Sequence, residues 1–323
     1  MRKVCRAFLA IALLFLGVDA KAQQFPRRPV TIMIGLAAGG LTDTTARLYA
    51  ETVSKATGWT CIVENRPGAG GAIAATAVQN ARPDGYTLLI FSGSQHATMA
   101  AIRPNTYRSV TGFAPITLLF SSVGVLSVPS TSPAHSVKEL FELGKTKPGG
   151  LLFGTQGIGS PTHLLGAKLT MAAKVPVQYV HYRGGAAMMP DFVAGRVDFA
   201  FPTMTTAAPF VAEGKIRALA VDAGARIASL PEVPTLAEIG LGNETVANWF
   251  GMAAPTGTTE PIIARLREAF VAASQDPSLK KRLAELDTPI VTSSSEEMAR
   301  LMKREADEMD VLVNVLGLRT QLP

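Results

Sequence analysis

The sequence predicts an α/β protein built from two successive doubly wound units. Extended apolar runs of the kind buried in parallel sheets alternate with helical patterns, and several runs end in a glycine-rich turn that opens a helix. The same order then occurs a second time along the chain.

The first unit opens with a strand over residues 29–36 and the turn Ala37-Ala38-Gly39-Gly40. Thr42 is read as the cap of a helix whose apolar positions Ala46, Tyr49, Ala50 and Val53 keep helical spacing, ending at Gly58. A strand at 61–64 follows, then the turn Pro67-Gly68-Ala69-Gly70-Gly71, a helix over 72–81, the turn Arg82-Pro83-Asp84-Gly85 and a strand at 87–91. In such sheets ligands sit beyond the carboxyl ends of the strands, here loops 36–42, 65–71 and 92–97.

A capping box at Ser136 to Glu139 starts the second unit, followed by a strand at 151–155 and the turn Gln156-Gly157-Ile158-Gly159-Ser160-Pro161. Further strands are expected at 177–182, 197–201 and 216–221. Residues 223–245 are broken by Pro231, Pro234, Gly240 and Gly242. A strand at 248–254 then suggests a return crossing, with Trp249 and Phe250 as core or hinge packing. Two or three amphipathic helices complete the chain, the last opened by a second capping box at Ser294 to Glu297.

At the amino end, Arg2, Lys3 and Arg6 precede an apolar run over 7–18 and the small-x-small string Ala20-Lys21-Ala22, which reads as a cleaved signal peptide over 1–22. The run is far shorter than the roughly 20 residues of a spanning helix. Cys5 precedes the run, so a lipid-anchored product is not expected. Loss of Arg2, Lys3, Arg6, Lys21 and Asp19 lowers the formal charge from +6 to +3. That modest, dispersed surplus suits small anions and argues against nucleic acid. Only Cys61 remains after cleavage, in a strand that reads as buried, so no internal disulfide can form and an inert thiol is expected.

The chain contains no Walker A string, no Gly-x-Ser-x-Gly, no His-Glu-x-x-His and no paired cysteines, and no metal or cofactor is expected. Gly157-Ile158-Gly159 departs from the dinucleotide fingerprint at Thr162, and Pro161 removes an amide. The glycine turns share another meaning: they let backbone amides approach a ligand, and each opens a helix whose positive end attracts anions. Of the four histidines, His96 is equally a ligand donor or a cap of its helix. For His163, helix-terminal packing is favoured over ligand contact. His135 is read as a surface residue and His181 as structural. Asp43 in a first helical turn is read as structural, and Arg183 as exposed.

With these residues laid out, the chain resembles the Bug family, the periplasmic solute receptors of tripartite tricarboxylate transporters. The marks are Ala38-Gly39-Gly40-Leu41-Thr42-Asp43, Glu64-Asn65-Arg66-Pro67-Gly68-Ala69-Gly70-Gly71, Pro83-Asp84-Gly85-Tyr86-Thr87-Leu88, Phe113-Ala114-Pro115-Ile116-Thr117, Tyr182-Arg183-Gly184-Gly185-Ala186, Gly214-Lys215-Ile216-Arg217-Ala218-Leu219-Ala220-Val221 and Leu230-Pro231-Glu232-Val233-Pro234-Thr235. The resemblance implies a two-lobed periplasmic binding protein fold of type II, each lobe a doubly wound mixed sheet, with a two-strand hinge. It divides the mature chain into lobe 1, residues 23–126 plus 246–323, and lobe 2, residues 127–245.

It further implies a monomeric receptor that holds a small carboxylate between the lobes, with backbone amides and waters, and serves the membrane subunits of such a transporter. Carried over by position, first-lobe contacts are Leu36, Ala38, Gly39, Gly40, Thr42, Ser92, Ser94, Gln95 and His96. Second-lobe contacts are Thr155, Gly157, Ile158, Gly159, Ser160, His163 and Thr203. Ser160, Gln95 and the amides around Gly39 are the preferred contacts. Pro202 stands where many members carry an aspartate, which disfavours an amino-acid ligand and leaves a dicarboxylate or aromatic carboxylate. Two other readings are a sensor partner of a membrane kinase and a periplasmic hydrolase using His96 or His163 with a nearby serine.

Overall fold

A computed structural model describes residues 25–102, 106–157, 160–182, 184–241 and 248–315. The first lobe runs β1 (Val30–Ile34), α1 (Leu41–Thr57), β2 (Cys61–Asn65), α2 (Ala72–Gln79), β3 (Thr87–Ser92), α3 (Gly93–Ile102) and β4 (Phe113–Ser121). The second runs β5 (Gly124–Pro129), α4 (Val137–Thr146), β6 (Leu151–Thr155), α5 (Pro161–Ala172), β7 (Val177–His181), α6 (Gly185–Val193), β8 (Phe199–Ala200), α7 (Met204–Ala212) and β9 (Ile216–Asp222). The chain then returns through β10 (Trp249–Pro255) and ends in α8 (Glu260–Ala273), α9 (Pro277–Ala284) and α10 (Ser295–Val315).

Two five-stranded sheets result, ordered β2-β1-β3-β10-β4 and β7-β6-β8-β5-β9. In each, four strands run in one direction and a single strand, β10 in the first and β5 in the second, runs antiparallel between two of them, the mixed, doubly wound pattern expected from the sequence. The apolar runs are buried on both faces. Ile32, Ile34, Leu88 and Ile90 pack with Tyr49, Val53, Leu266 and Phe270, while the alternate residues Met33, Leu89 and Phe91 pack with Ala75, Val78, Met298 and Met302. Each lobe stacks a phenylalanine pair 4.5 Å apart, Phe120 on Phe250 and Phe153 on Phe199. Both capping boxes form: Ser136 Oγ accepts from Glu139 N and Ser294 Oγ from Glu297 N.

Several local expectations are corrected. The cap of α1 is Gly40, so Thr42 lies inside the first turn, buried. Cys61 sits on the outermost strand β2 and is half-buried; burial still pushes its thiol up, as an inert thiol requires. Residues 92–97 form no loop, because α3 begins at Gly93 directly after β3. The strand expected at 197–201 is ordered as a strand only over Phe199–Ala200.

The chain crosses between sheets at residues 121–124 and comes back at Asn248. Ser122 N–H donates to Asn248 O (3.0 Å) and Asn248 Nδ2 to Ser122 Oγ. The expected boundary at 126/127 falls inside β5, whose partners all lie in the second sheet; the one at 245/246 lies outside the described residues. A second junction joins the lobes: Leu164 of α5 packs with Ala97 and Ala101 of α3 and with Met309 and Val313 of α10. Beside it Lys168 Nζ meets Glu308 Oε2 at 2.9 Å.

The packing of α5 on β6 is tight enough to decide between opposing effects. A Cβ on Gly166 would lie 2.2 Å from Phe153 Cζ. Alanine gains about 1 kcal/mol of helix propensity over glycine, whereas overpacking costs about 1–3 kcal/mol. Gly166→Ala is therefore expected to destabilise, by about 1 kcal/mol, read as a lower urea midpoint at unchanged slope. A raised midpoint would show that the Phe153 ring has room to move.

Candidate functional site

The strand registers locate the site. Ser92, the last residue of β3, lies opposite Phe250, and Ser121, the last of β4, opposite Trp249. The carboxyl ends of β1 and β3 therefore lie where the chain leaves the first lobe. In the second sheet Gly124, the first residue of β5, faces Asp222 and bridges to Thr203, just past β8. The carboxyl ends of β6, β7 and β8 lie at the same crossing. Both sets of strand ends thus face one another across the hinge, which forms a cleft of the kind in which α/β proteins bind ligands.

In the first lobe, Leu36, Ala38, Gly39 and Gly40 are exposed, Leu36 by 40%. The loop is tied down from below. Asp43 Oδ2 accepts from Gly39 N (2.9 Å) and its Oδ1 from Arg47 Nε (3.0 Å). Arg47 continues to Asn65 Oδ1 (3.0 Å), and Asn65 Nδ2 returns to Leu36 O (3.2 Å). Burial pushes the Asp43 carboxyl up, but hydrogen bonds from Arg47, Gly39 and Asn65 outweigh it and hold the group below the usual carboxylate range. Asp43 is structural, as expected. The Gly39 amide, a preferred ligand contact, is committed to it. Gly39 keeps φ +82° with open space above its Cα, so a ligand can approach there without meeting a side chain.

Ser92 is buried at the end of β3, and Ser94 and Gln95 occupy the first turn of α3. His96 turns inward rather than to the cleft or to a cap. It is 1% exposed, tilted against Phe91 at 5.0 Å, and lines a cavity of about 10 Å³ with Gly35, Gly71 and Tyr107. Among the described residues its Nε2 has no hydrogen-bond partner. Burial pushes its pKa down to about 3, so it is a neutral interior group and not a general base near neutral pH.

In the second lobe, Thr155 Oγ1 bonds His181 Nδ1 (2.7 Å) and accepts from Gly157 N (3.4 Å), folding the turn back on its strand. Ser160, another preferred contact, caps α5: its hydroxyl accepts from His163 N at 3.3 Å. His163 is 1% exposed, edge-on to Tyr179 and His181 at 4.9 and 5.0 Å. Burial, then the neighbouring His181, push its pKa down to about 4. Helix-terminal packing, the favoured reading, describes it. His135 is exposed at the surface, as read. Ile158, Gly159 and Arg183 lie outside the described residues.

Thr203 opens α7, and its hydroxyl bonds those of Thr205 (3.1 Å) and Thr206 (3.0 Å). Gln156 Nε2 donates to Phe201 O (3.3 Å), and a Cβ on Gly185 would lie 3.0 Å from Gln156 Oε1. Gln156, Thr205 and Thr206 were not anticipated; three threonines in four residues after an apolar run were the available signal. Asp222, also missed, stands at the end of β9 with its carboxyl pushed up to about 7 by burial. Among the described residues no group of three or more His, Cys, Asp or Glu could hold a metal. The cleft can therefore offer helix amino ends, backbone amides, hydroxyls and a carboxamide.

The Asp43 knot has a measurable consequence. Hydrogen bonds to a charged group contribute about 1.5–3 kcal/mol, discounted here because Arg47 is half exposed. Asp43→Ala is expected to cost about 1–2 kcal/mol and to speed amide exchange at residues 36–40. Because the folded carboxyl titrates below its ordinary value, its contribution is present above that range and lost as pH falls through the folded pKa. The gap between wild type and variant should close below about pH 4. A gap independent of pH would show that the charge is not what holds the loop.

Comparison with known proteins places this architecture. The chain is similar in structure to the periplasmic binding protein BugD, with 32% identity, a TM-score of 0.72, and coverage of 91% of this chain and 99% of the other. It is similar to Rpa4515 of R. palustris, solved with adipate (31%, TM-score 0.76, coverage 91% and 98%). MatC of Rhodopseudomonas palustris, solved with bound malate, is a third such structure (31%, TM-score 0.72, coverage 90% and 100%). The family model described as tripartite tricarboxylate transporter family receptor matches residues 45–318, and the chain belongs to that family of solute-binding receptors, the Bug family.

Proposed function

We propose that this protein is an extracytoplasmic receptor that holds a small carboxylate in the cleft between its lobes and hands it to the membrane subunits of a tripartite tricarboxylate transporter. The observation that carries this reading is the convergence of helix amino ends on one cleft: α1 and α3 from the first lobe, α5, α6 and α7 from the second. Such ends attract anions through aligned dipoles and unsatisfied N–H groups. A dicarboxylate or aromatic carboxylate is favoured. Pro202 offers no carboxylate to an ammonium group, and Leu36 exposes apolar surface on the first-lobe loop after β1. The dicarboxylates in Rpa4515 and MatC support the same class.

Binding is proposed to involve no chemistry, cofactor or metal. His96 and His163 are neutral and buried, which removes the bases that a hydrolase reading would use. No described helix is long and apolar enough to cross a membrane. We place the mature protein in the periplasm as a monomer, released after cleavage of residues 1–22.

The reading is tested by thermal unfolding against a panel of mono-, di- and tricarboxylates, aromatic acids and amino acids. A ligand at 100 times its Kd stabilises by about 2.7 kcal/mol, equivalent to a few degrees in a protein of this size. At least one dicarboxylate or aromatic acid should produce that shift. A panel that leaves the midpoint unmoved, or in which only amino acids act, contradicts the proposal.

A further inference from the structure

The C-terminal helix α10 places a carboxyl at the hinge, against the first residue of α3. Glu305 Oε1 accepts from Trp249 Nε1 at 2.7 Å, where β10 enters the first lobe from the hinge. Its other oxygen lies against Gly93, the first residue of α3: a Cβ there would stand 2.4 Å from Glu305 Oε2 and 2.3 Å from the Trp249 ring. No residue but glycine fits between them. Glu305 also stands one helical turn before Met309 and next to Glu308, the residues through which α10 touches the second lobe. It therefore lies at the carboxyl end of β3, on the hinge side, beside the point where the lobes meet.

We propose that Glu305 sets the affinity of the cleft for anionic solutes: it must be protonated for an anion to be held beside it, so that binding takes up a proton. The inference rests on the carboxylate-receptor reading above. Two negative charges in one desolvated site repel, and the group of higher pKa, which holds its proton more tightly, yields by staying neutral. Burial already pushes the Glu305 carboxyl up to about 7, against the Trp249 hydrogen bond, so little further shift is needed.

The charged groups around it do not remove this preference. Lys168 of α5 and Arg304 of its own helix favour the ionised form and Glu308 opposes it, but Lys168 is engaged by Glu308. From β10 the facing group is the Trp249 indole, and from α3 it is the Gly93 backbone, with His96 neutral. The strand β4, which also packs on α10, carries no ionisable side chain.

Two readouts test the proposal. In a Trp59→Phe background, Trp249 is the remaining tryptophan, and its emission should titrate with a midpoint near pH 7 in the ligand-free protein. Glu305→Gln, which keeps the size and the acceptor, should abolish that transition. For the dicarboxylate that binds best in the panel, with adipate and malate included, both carboxyls are ionised above about pH 6. Its Kd should weaken by about fivefold or more from pH 6 to pH 8.5 in the wild type and stay level in Glu305→Gln.

Asp222→Asn controls for the other raised carboxyl near the hinge and should leave the slope in place. Emission without a transition between pH 5.5 and 8.5, a level wild-type profile, or a slope that survives Glu305→Gln and disappears in Asp222→Asn overturns the proposal. A protein that binds no carboxylate at any pH refutes the receptor reading itself, and this inference with it.

Discussion

The architecture depends on one constraint: the chain passes between its two sheets at 121–124 and returns beside itself at Asn248. Ser122 and Asn248 hold the two passages together through a backbone and a side-chain hydrogen bond. Because β10 enters antiparallel between β3 and β4, and β5 leaves antiparallel beside β8 and β9, the parallel strands of both lobes end at the crossing. The cleft is a consequence of topology rather than of a dedicated loop. Rotation about so few bonds is cheap compared with disrupting either apolar core, the mechanical condition for hinge closure around a ligand.

Recognition by helix ends explains how this cleft could select anions with little side-chain charge. A helix amino end contributes about 0.3–1 kcal/mol to a nearby anion at the surface and up to about 2 kcal/mol when partly buried. Several such ends, with direct amide hydrogen bonds, reach the scale of micromolar binding, about 8 kcal/mol. Fixed dipoles also need little reorganisation when the ligand arrives. The same logic explains the Asp43, Arg47 and Asn65 knot, which holds the 36–40 loop from the side away from the cleft. Ordering the loop before binding removes an entropy cost that would otherwise fall on the complex.

The skeleton was legible in the sequence because it follows from local rules. Apolar runs, capping boxes and glycine turns give β1 to β3, α1, α4 and α10 within a few residues. The return strand at 249–255 followed from the break before it. Side-chain roles were less legible, for a physical reason. Sequence position brings Ser160 and His96 to strand ends, but the direction of each side chain depends on partners far away. Ser160 Oγ turns to its own helix, and the His96 ring enters a core built by Phe91, Gly35 and Tyr107. Sequence position alone leaves the Gly39 amide available, whereas in the fold Asp43 accepts its hydrogen bond. Glu305 was invisible as a hinge residue, since its partners Trp249 and Gly93 lie 56 and 212 positions away.

The central claim is that both lobes grip one carboxylate through helix ends and amides. A crystal structure of the protein with a dicarboxylate selected by thermal stabilisation tests it most directly. The account predicts ligand density at the crossing, with one carboxylate within about 3 Å of amides or ordered waters at residues 36–42 and the other end against the second-lobe turns. Density elsewhere on the surface, or a carboxylate paired mainly with lysine or arginine side chains, would contradict it.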